Sequence, residues 1–210
     1  NQQDRETQIK RTIGRRFRSL HSRYVEAFDK GSPNEEDLYG RIRTITQFLI
    51  RQSHRDITLS RFDSAKVMPS HFRLRAAREE DDLLCIALSN HYKKSLTSRV
   101  KNIVQACTWG PPLIFLRDER CEKPTKTVRS RFEHVEEEER VYIELDAREH
   151  GRIYAFYEIL VEIQQRDLTL QDESPISEAE YFAALRSMPM LLESRLFNRL
   201  IEAIESQPSN

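Results

Sequence analysis

The chain has 210 residues, and its 34 Lys and Arg residues balance its 34 Asp and Glu residues, so the formal net charge is zero. A balanced charge excludes a strongly cationic nucleic-acid coat and an acidic tail, although it leaves local charged patches open. Charged residues make up 32% of the chain, with only 5 glycines and 8 prolines, which favours helices over a many-turned β-sandwich. We therefore expect a mainly α protein: a helical bundle with a long central helix and a small β-hairpin in its second half.

The charge is distributed unevenly along the chain. Residues 1–110 carry 21 basic and 13 acidic side chains, a net charge of +8, and the remaining residues carry a net charge of −8. Opposite charges suggest that the two halves interlock or that the protein self-associates, whereas the simpler interpretation is two solvated helix surfaces. The strongest break is Trp109-Gly110-Pro111-Pro112. We predict a basic helical region at 1–108 and a mixed β/α region at 109–210 that packs on it, with one compact domain as the alternative.

The first two predicted helices are amphipathic. In residues 7–29, apolar side chains recur every three or four positions from Ile13 to Phe28, which is typical of one helix face. A break at residues 31–34 precedes a second helix, with Ser32 as its N-cap, Pro33 in the first helical position and an end near Gln52. Residues 53–70 predict a short helical turn or an extended link.

The longest predicted helix covers residues 75–107. Apolar side chains follow a step of four from Leu84 to Val104, which places them on one slowly drifting helix face. A helix of this length, roughly 45–50 Å at 1.5 Å per residue, exceeds the diameter of a small domain. It is therefore expected to be a central spine or to be broken near Asn90.

The second half predicts both strands and helices. The apolar run at 113–116 and the alternating residues at 141–145 each predict a strand. Residues 153–163 fit a strand or a helix face, but their β-branched and aromatic side chains favour a strand, paired with 141–147 through a turn at 149–151. Ser177 and Glu180 form a capping box that predicts a helix start, and a last helix spans about 190–206.

The sequence offers no recognisable catalytic or ligand-binding motif. Neither a phosphate-binding glycine motif nor a nucleophile elbow occurs, and the six histidines lack the spacing of zinc ligands. We therefore predict no catalytic residue, no metal, no cofactor and no small-molecule ligand. The protein is expected not to be an enzyme.

The cysteines and the apolar runs indicate a compartment. Three cysteines without a Cys-x-x-Cys pair argue against a disulfide framework and favour a reducing environment. No apolar run is long enough to span a membrane, and the first ten residues lack the apolar core of a signal peptide. An intracellular location, nuclear or cytoplasmic, is expected, without a membrane partner.

Two sets of residues support the functional hypotheses. Contact with nucleic acid would use basic residues of the first helix and of the 93–101 segment. These residues are Lys10, Arg11, Arg15, Arg16, Arg18, Arg23, Lys93, Lys94 and Lys101. A protein interface would use the tryptophan and the last apolar stripe. These residues are Trp109, Leu192, Leu196, Leu200 and Ile204.

The favoured hypothesis is a non-enzymatic helical interaction domain, which self-associates or forms a subunit of a larger assembly. Its partner is then another protein or a second copy. The first alternative is an RNA- or DNA-binding protein that uses the basic amphipathic N-terminal helix. The second alternative is an enzyme whose site, in residues 113–165, the sequence does not reveal.

Overall fold

The computed structural model describes residues 2–60, 71–76, 82–90, 93–106, 113–123, 125–126, 140–188 and 193–207. These residues form six helices and five strands. In chain order the elements are α1 (Gln2–Lys30), α2 (Glu35–Ser53), β1 (Ile57–Ser60), β2 (His71–Ala76), β3 (Asp82–Leu88), α3 (Lys93–Ala106), β4 (Leu113–Asp118), β5 (Arg140–Leu145), α4 (Ala147–Gln165), α5 (Glu178–Arg186) and α6 (Arg195–Glu205).

The five strands form one mixed sheet in the order β1-β2-β3-β4-β5. The pairs β1–β2 and β2–β3 are antiparallel, whereas β3–β4 and β4–β5 are parallel. Parallel neighbours require a crossover connection, and α3 lies in the connection between β3 and β4. The protein is therefore an α/β protein, and the prediction of a helical bundle with a single hairpin is wrong.

The predicted long helix at 75–107 is also wrong, because this part of the chain contributes to β2, forms β3 and ends in the shorter helix α3. Residues 84–88 are all buried, as in a strand that is covered on both faces. Leu84 and Leu88 lie four positions apart, and this spacing places two residues on one face of a strand as well as of a helix. A continuous apolar run of this length does not distinguish the two structures.

The predicted strand at 153–163 and its hairpin turn at 149–151 are wrong as well, because both segments belong to α4. Asp146 caps this helix by accepting a hydrogen bond from the Glu149 backbone nitrogen at 2.7 Å. The four consecutive residues 153–156 are all buried, since α1 and α2 both pack on α4. Burial on more than one side hides the helical period, so the β propensity of single residues gave the wrong prediction.

Other sequence predictions are confirmed. The first two helices, the strands at 113–118 and 140–145, and the capping box of Ser177 and Glu180 are all present. The predicted N-cap Ser32 is wrong by two positions, because the Asn34 side chain accepts from the Glu36 and Asp37 backbone nitrogens. The last helix begins at Arg195, and residues 189–192 lie outside the described residues.

Helices and sheet share one apolar core. In β3 and β4, the side chains of Leu84, Ile86, Ile114 and Leu116 point into this core, together with α1, α2, α4, α5 and α6. The most extensive helix–helix contact joins α1 to α4, which lies far along the chain. The sheet connects the two regions predicted from the sequence, because β3 belongs to the first region and pairs with β4, which belongs to the second.

Candidate functional site

Several cations of α1 bind carboxylates of the acidic second half. The Arg16 Nε donates to Glu162 Oε2 at 3.0 Å, and the Arg23 Nη2 donates to Glu158 Oε1 at 2.8 Å. Burial acts to raise the pKa of Glu158, but hydrogen bonds from Tyr24 and Arg23 outweigh it and hold this pKa below its ordinary value. These pairs join α1 to α4. They also neutralise Arg16 and Arg23, two of the residues that the sequence predicted to contact nucleic acid.

Arg5 fixes the start of α1 to a turn before α5. Its guanidinium donates to Glu180 Oε1 at 2.7 Å, to Ser174 Oγ at 2.8 Å and to the Pro175 carbonyl at 3.2 Å. The hydrogen bond from Arg5 is the main reason that the pKa of Glu180 falls to about 2. This contact therefore joins the two halves of the chain and also holds the capping box of α5.

A second set of α1 cations remains exposed. We call Arg11, Arg15 and Arg18 the arginine ridge; they lie at positions i, i+4 and i+7, on one face of the helix. No ion pair or hydrogen bond joins their side chains to another described residue. The sequence between Thr7 and Val25 contains no acidic residue, so no carboxylate of this stretch of α1 neutralises them.

Two open grooves flank the arginine ridge. The hairpin groove, of about 600 Å³, lies between α1 and the segment 168–171. Its lining residues are Gln8, Arg11, Thr12, Arg15, Arg16, Ser19, Leu168, Thr169, Leu170 and Gln171. The outer groove, of about 390 Å³, is lined by Thr7, Lys10, Arg11, Gly14, Arg15 and Arg18. Arg11 and Arg15 line both grooves, so the ridge separates them.

The far wall of the hairpin groove is a tight turn held by backbone hydrogen bonds. The Leu170 nitrogen donates to the Ser174 carbonyl at 2.9 Å, and the Ile176 nitrogen donates to the Leu168 carbonyl at 3.2 Å. Glu173 adopts a positive φ of 62° at the tip of this turn. Arg5 of α1 also donates a hydrogen bond to Ser174 of this turn. The two walls of the groove are therefore held together in the absence of a ligand.

Of the other predicted nucleic-acid residues, Arg16 lines the hairpin groove and Lys10 lines the outer groove. Lys10 lines the outer groove and donates to Glu6 Oε1 at 2.6 Å. Lys101 is exposed on α3. Lys93 and Lys94 begin α3, and their side chains lie outside the described residues. The arginine ridge is thus the group of predicted residues on α1 that stays exposed without an ion pair to a described residue, and Lys101 is in the same state on α3.

The residues predicted to form a protein interface lie elsewhere. Leu196, Leu200 and Ile204 are at most 2% exposed and belong to the core of this chain. Trp109 and Leu192 lie outside the described residues. The apolar stripe of α6 therefore packs within the chain, against α2 and β3.

A buried polar cluster at the carboxyl end of β4 was not anticipated from the sequence. The fully buried Asp118 accepts from the Arg120 Nε at 3.1 Å, and the Arg120 guanidinium also donates to the Phe28 carbonyl at the end of α1. The backbone nitrogen of Asn90, which follows β3, donates to Glu35 Oε2 of α2 at 2.8 Å. No local spacing signals this cluster, because only the pairing of β3 with β4 brings its members together.

His150 completes this cluster from α4. Its ring is fully buried, 3.9 Å from an Asp118 oxygen, and neither ring nitrogen hydrogen-bonds to a described residue. Burial is the main cause that lowers the pKa of His150; Asp118 acts in the opposite direction, and Arg120 lowers this pKa further. The contacts of the cluster tie β4 to the end of α1, to α4 and to the start of α2, which is a structural role.

Three further results bear on function. Within the described residues, no group of three or more His, Cys, Asp or Glu side chains is placed to hold a metal ion. The helices described by the structure include none that is long and apolar enough to cross a bilayer. No protein-family model matches the chain, and a search of curated proteins finds no match.

Proposed function

We propose that the protein is a non-enzymatic interaction module, a subunit of a larger assembly, which binds an acidic segment of a partner protein along the arginine ridge. The observation that carries this proposal is a contrast within one helix. Arg5, Arg16 and Arg23 bind carboxylates of this chain, whereas the ridge arginines bind no described residue. A partner with carboxylates would supply the ridge with the negative charges that Arg5, Arg16 and Arg23 already contact within the chain.

The spacing of the ridge suits an extended row of anionic groups. At 1.5 Å per residue, the first and last ridge positions lie about 10 Å apart along the helix axis. Acidic side chains at i, i+4 and i+7 of a partner helix have the same spacing. Each exposed arginine–carboxylate pair contributes about 0.2–1 kcal/mol, so three pairs are worth roughly 0.6–3 kcal/mol.

The direct test uses a labelled polyglutamate peptide, with binding followed by fluorescence anisotropy at low and at physiological ionic strength. The triple variant R11A/R15A/R18A is compared with K101A/K123A/R195A, which removes three exposed cations elsewhere. We expect the ridge variant to weaken binding on the order of tenfold and the control variant to change it less than about twofold. Equal losses in both variants, or no binding by the wild type, would refute the proposal.

Nucleic-acid binding is the second candidate, since arginine also binds phosphodiesters bidentately. The same assay with a single-stranded DNA and a double-stranded RNA of matched length separates the two functions. Binding of either nucleic acid that falls steeply with salt, together with no binding of polyglutamate, would favour this candidate over the first.

We also propose an intracellular location, nuclear or cytoplasmic. Cys85 and Cys121, the cysteines in the described part of the chain, are not joined by a disulfide bond, as expected for a reducing compartment.

A further inference from the structure

We infer that the hairpin groove binds a phosphate monoester, namely the phosphorylated serine or threonine side chain of the partner. This inference rests on the proposed function, because it names the group that the partner presents beside the arginine ridge.

The charge available in the groove matches a dianion. Arg11 and Arg15 line it one helical turn apart, both exposed and without an ion pair to a described residue. Arg16 also lines it, but its charge is already balanced by Glu162. Two free guanidinium groups balance a phosphate monoester, which carries about −1.5 to −2 at neutral pH. A carboxylate or a phosphodiester carries a single charge and would leave one arginine unbalanced.

Neutral donors line the same groove. Thr12, Ser19, Thr169 and Gln171 line it on both walls, and none of their side-chain polar groups hydrogen-bonds to a described residue. A phosphate monoester has three terminal oxygens and accepts more hydrogen bonds than a carboxylate does. The set of two cations and several neutral donors therefore suits a phosphoryl group better than a glutamate.

Two carboxylates beside lining residues, Glu162 and Asp172, are already engaged by other groups. Glu162 is bound by Arg16, as described above. Asp172 follows the last lining residue, and its carboxylate accepts from the Ser174 nitrogen at 3.1 Å and from the Ser174 hydroxyl at 2.6 Å. These hydrogen bonds hold the pKa of Asp172 below its ordinary value and keep its carboxylate engaged within the turn.

The walls favour a phosphorylated side chain over a nucleotide. None of the described residues that line the groove is aromatic, so a base would find no ring on which to stack. The apolar part of the lining consists of Leu168, which is half-buried, and Leu170, which is buried. A serine or threonine phosphate needs no stacking surface, and its peptide backbone is free to lie along the exposed ridge.

The test is a titration of the ¹⁵N-labelled full chain, followed by NMR amide shifts at constant ionic strength in a phosphate-free buffer. The probes are a capped Gly-phosphoserine-Gly peptide, its Gly-Glu-Gly counterpart, dimethyl phosphate and adenosine monophosphate. We expect the phosphoserine peptide to shift the amides of Thr12, Thr169 and Gln171 saturably. The glutamate peptide and dimethyl phosphate should bind at least about fivefold more weakly, because each satisfies one arginine rather than two.

Two single variants provide a matched control. Arg15 lines the hairpin groove, whereas Arg18 lines only the outer groove, so R15A and R18A remove the same charge from neighbouring positions. We expect R15A to weaken phosphoserine binding at least about fivefold and R18A less than about twofold. Equal losses would show a general effect of positive charge and would overturn the assignment to this groove.

The other outcomes are equally decisive. Glutamate peptide that binds as well as phosphoserine peptide would refute phosphoryl recognition, while a ridge-dependent polyglutamate interaction would still support the proposed function. Adenosine monophosphate that binds more tightly than the phosphoserine peptide would assign the groove to a nucleotide. No saturable shift with any probe would refute the inference, and the polyglutamate assay would then decide the proposed function separately.

Discussion

Replacement of Gly151 by alanine tests the close contact between α1 and α4, on which the arrangement of the arginines depends. Gly151 is buried inside α4, and a Cβ atom there would lie 3.0 Å from Val25 Cγ2, 3.1 Å from His21 Cδ2 and 3.3 Å from the His21 carbonyl oxygen. Neither side chain moves away easily. The His21 ring stacks on Phe17 and its Nε2 lies 3.1 Å from the Arg148 carbonyl, while valine has one preferred rotamer in a helix.

The expected free energy follows from two opposing effects. Alanine in place of glycine inside a helix stabilises a protein by about 0.5–1 kcal/mol. Overpacking of a close contact costs about 1–3 kcal/mol. We therefore expect the Gly151→Ala variant to lose about 1 kcal/mol, and at most about 2.5 kcal/mol, in its free energy of unfolding. For a chain of this size, each 1 kcal/mol lowers Tm by about 2–4 °C.

Gly40 of α2 provides the matched control. A Cβ atom at this position meets nothing within 4 Å, so Gly40→Ala should show the helix-propensity gain alone, about 0.5–1 kcal/mol. Urea unfolding followed by circular dichroism at constant m-value measures both variants. If Gly151→Ala stabilises the protein as much as Gly40→Ala does, the close packing of α1 on α4 is refuted.

Three further predictions concern stability. Leu200→Ala should cost about 2–5 kcal/mol, because the side chain is fully buried in the core of this chain; urea unfolding measures it, and an unchanged midpoint would contradict that core role. The folded-state pKa of His150 lies below 6.5, so the unfolded chain binds the proton more readily and stability falls as pH drops below about 6.5. His150→Leu should reduce this pH dependence in thermal melts. If Tm varies with pH in the same way in the wild type and the variant, His150 is not the cause of the pH dependence. The pKa of Glu180 is lowered to about 2, so the ionised carboxylate stabilises the folded protein above pH 4.5, and this stabilisation is lost as pH falls towards 2. Glu180→Gln should therefore lower Tm at neutral pH, with a deficit that narrows over that range; a deficit independent of pH would argue against the Arg5 pair.

The sequence alone determined the elements whose signals are local. The first two helices have one apolar stripe each, and the residues Ser177 and Glu180 lie at the spacing of a capping box, so both were predictable from near neighbours. The same holds for the basic character of α1 and for the absence of acidic residues between Thr7 and Val25. The strands at 113–118 and 140–145 were also anticipated from their apolar patterns.

Only the tertiary structure decided what depends on distant neighbours. The sequence of α4 shows no clear helical repeat of apolar residues, because two other helices bury this helix. The sequence of β3 was read as a helix, because both faces of a strand in the middle of the sheet are covered and apolar. The division of the α1 arginines is the same kind of effect: Arg16 is paired because Glu162 packs opposite it, whereas Arg15, one residue earlier, faces solvent. Adjacent residues of a helix point about 100° apart, so the surface that meets each one is set by packing between segments far apart in the chain.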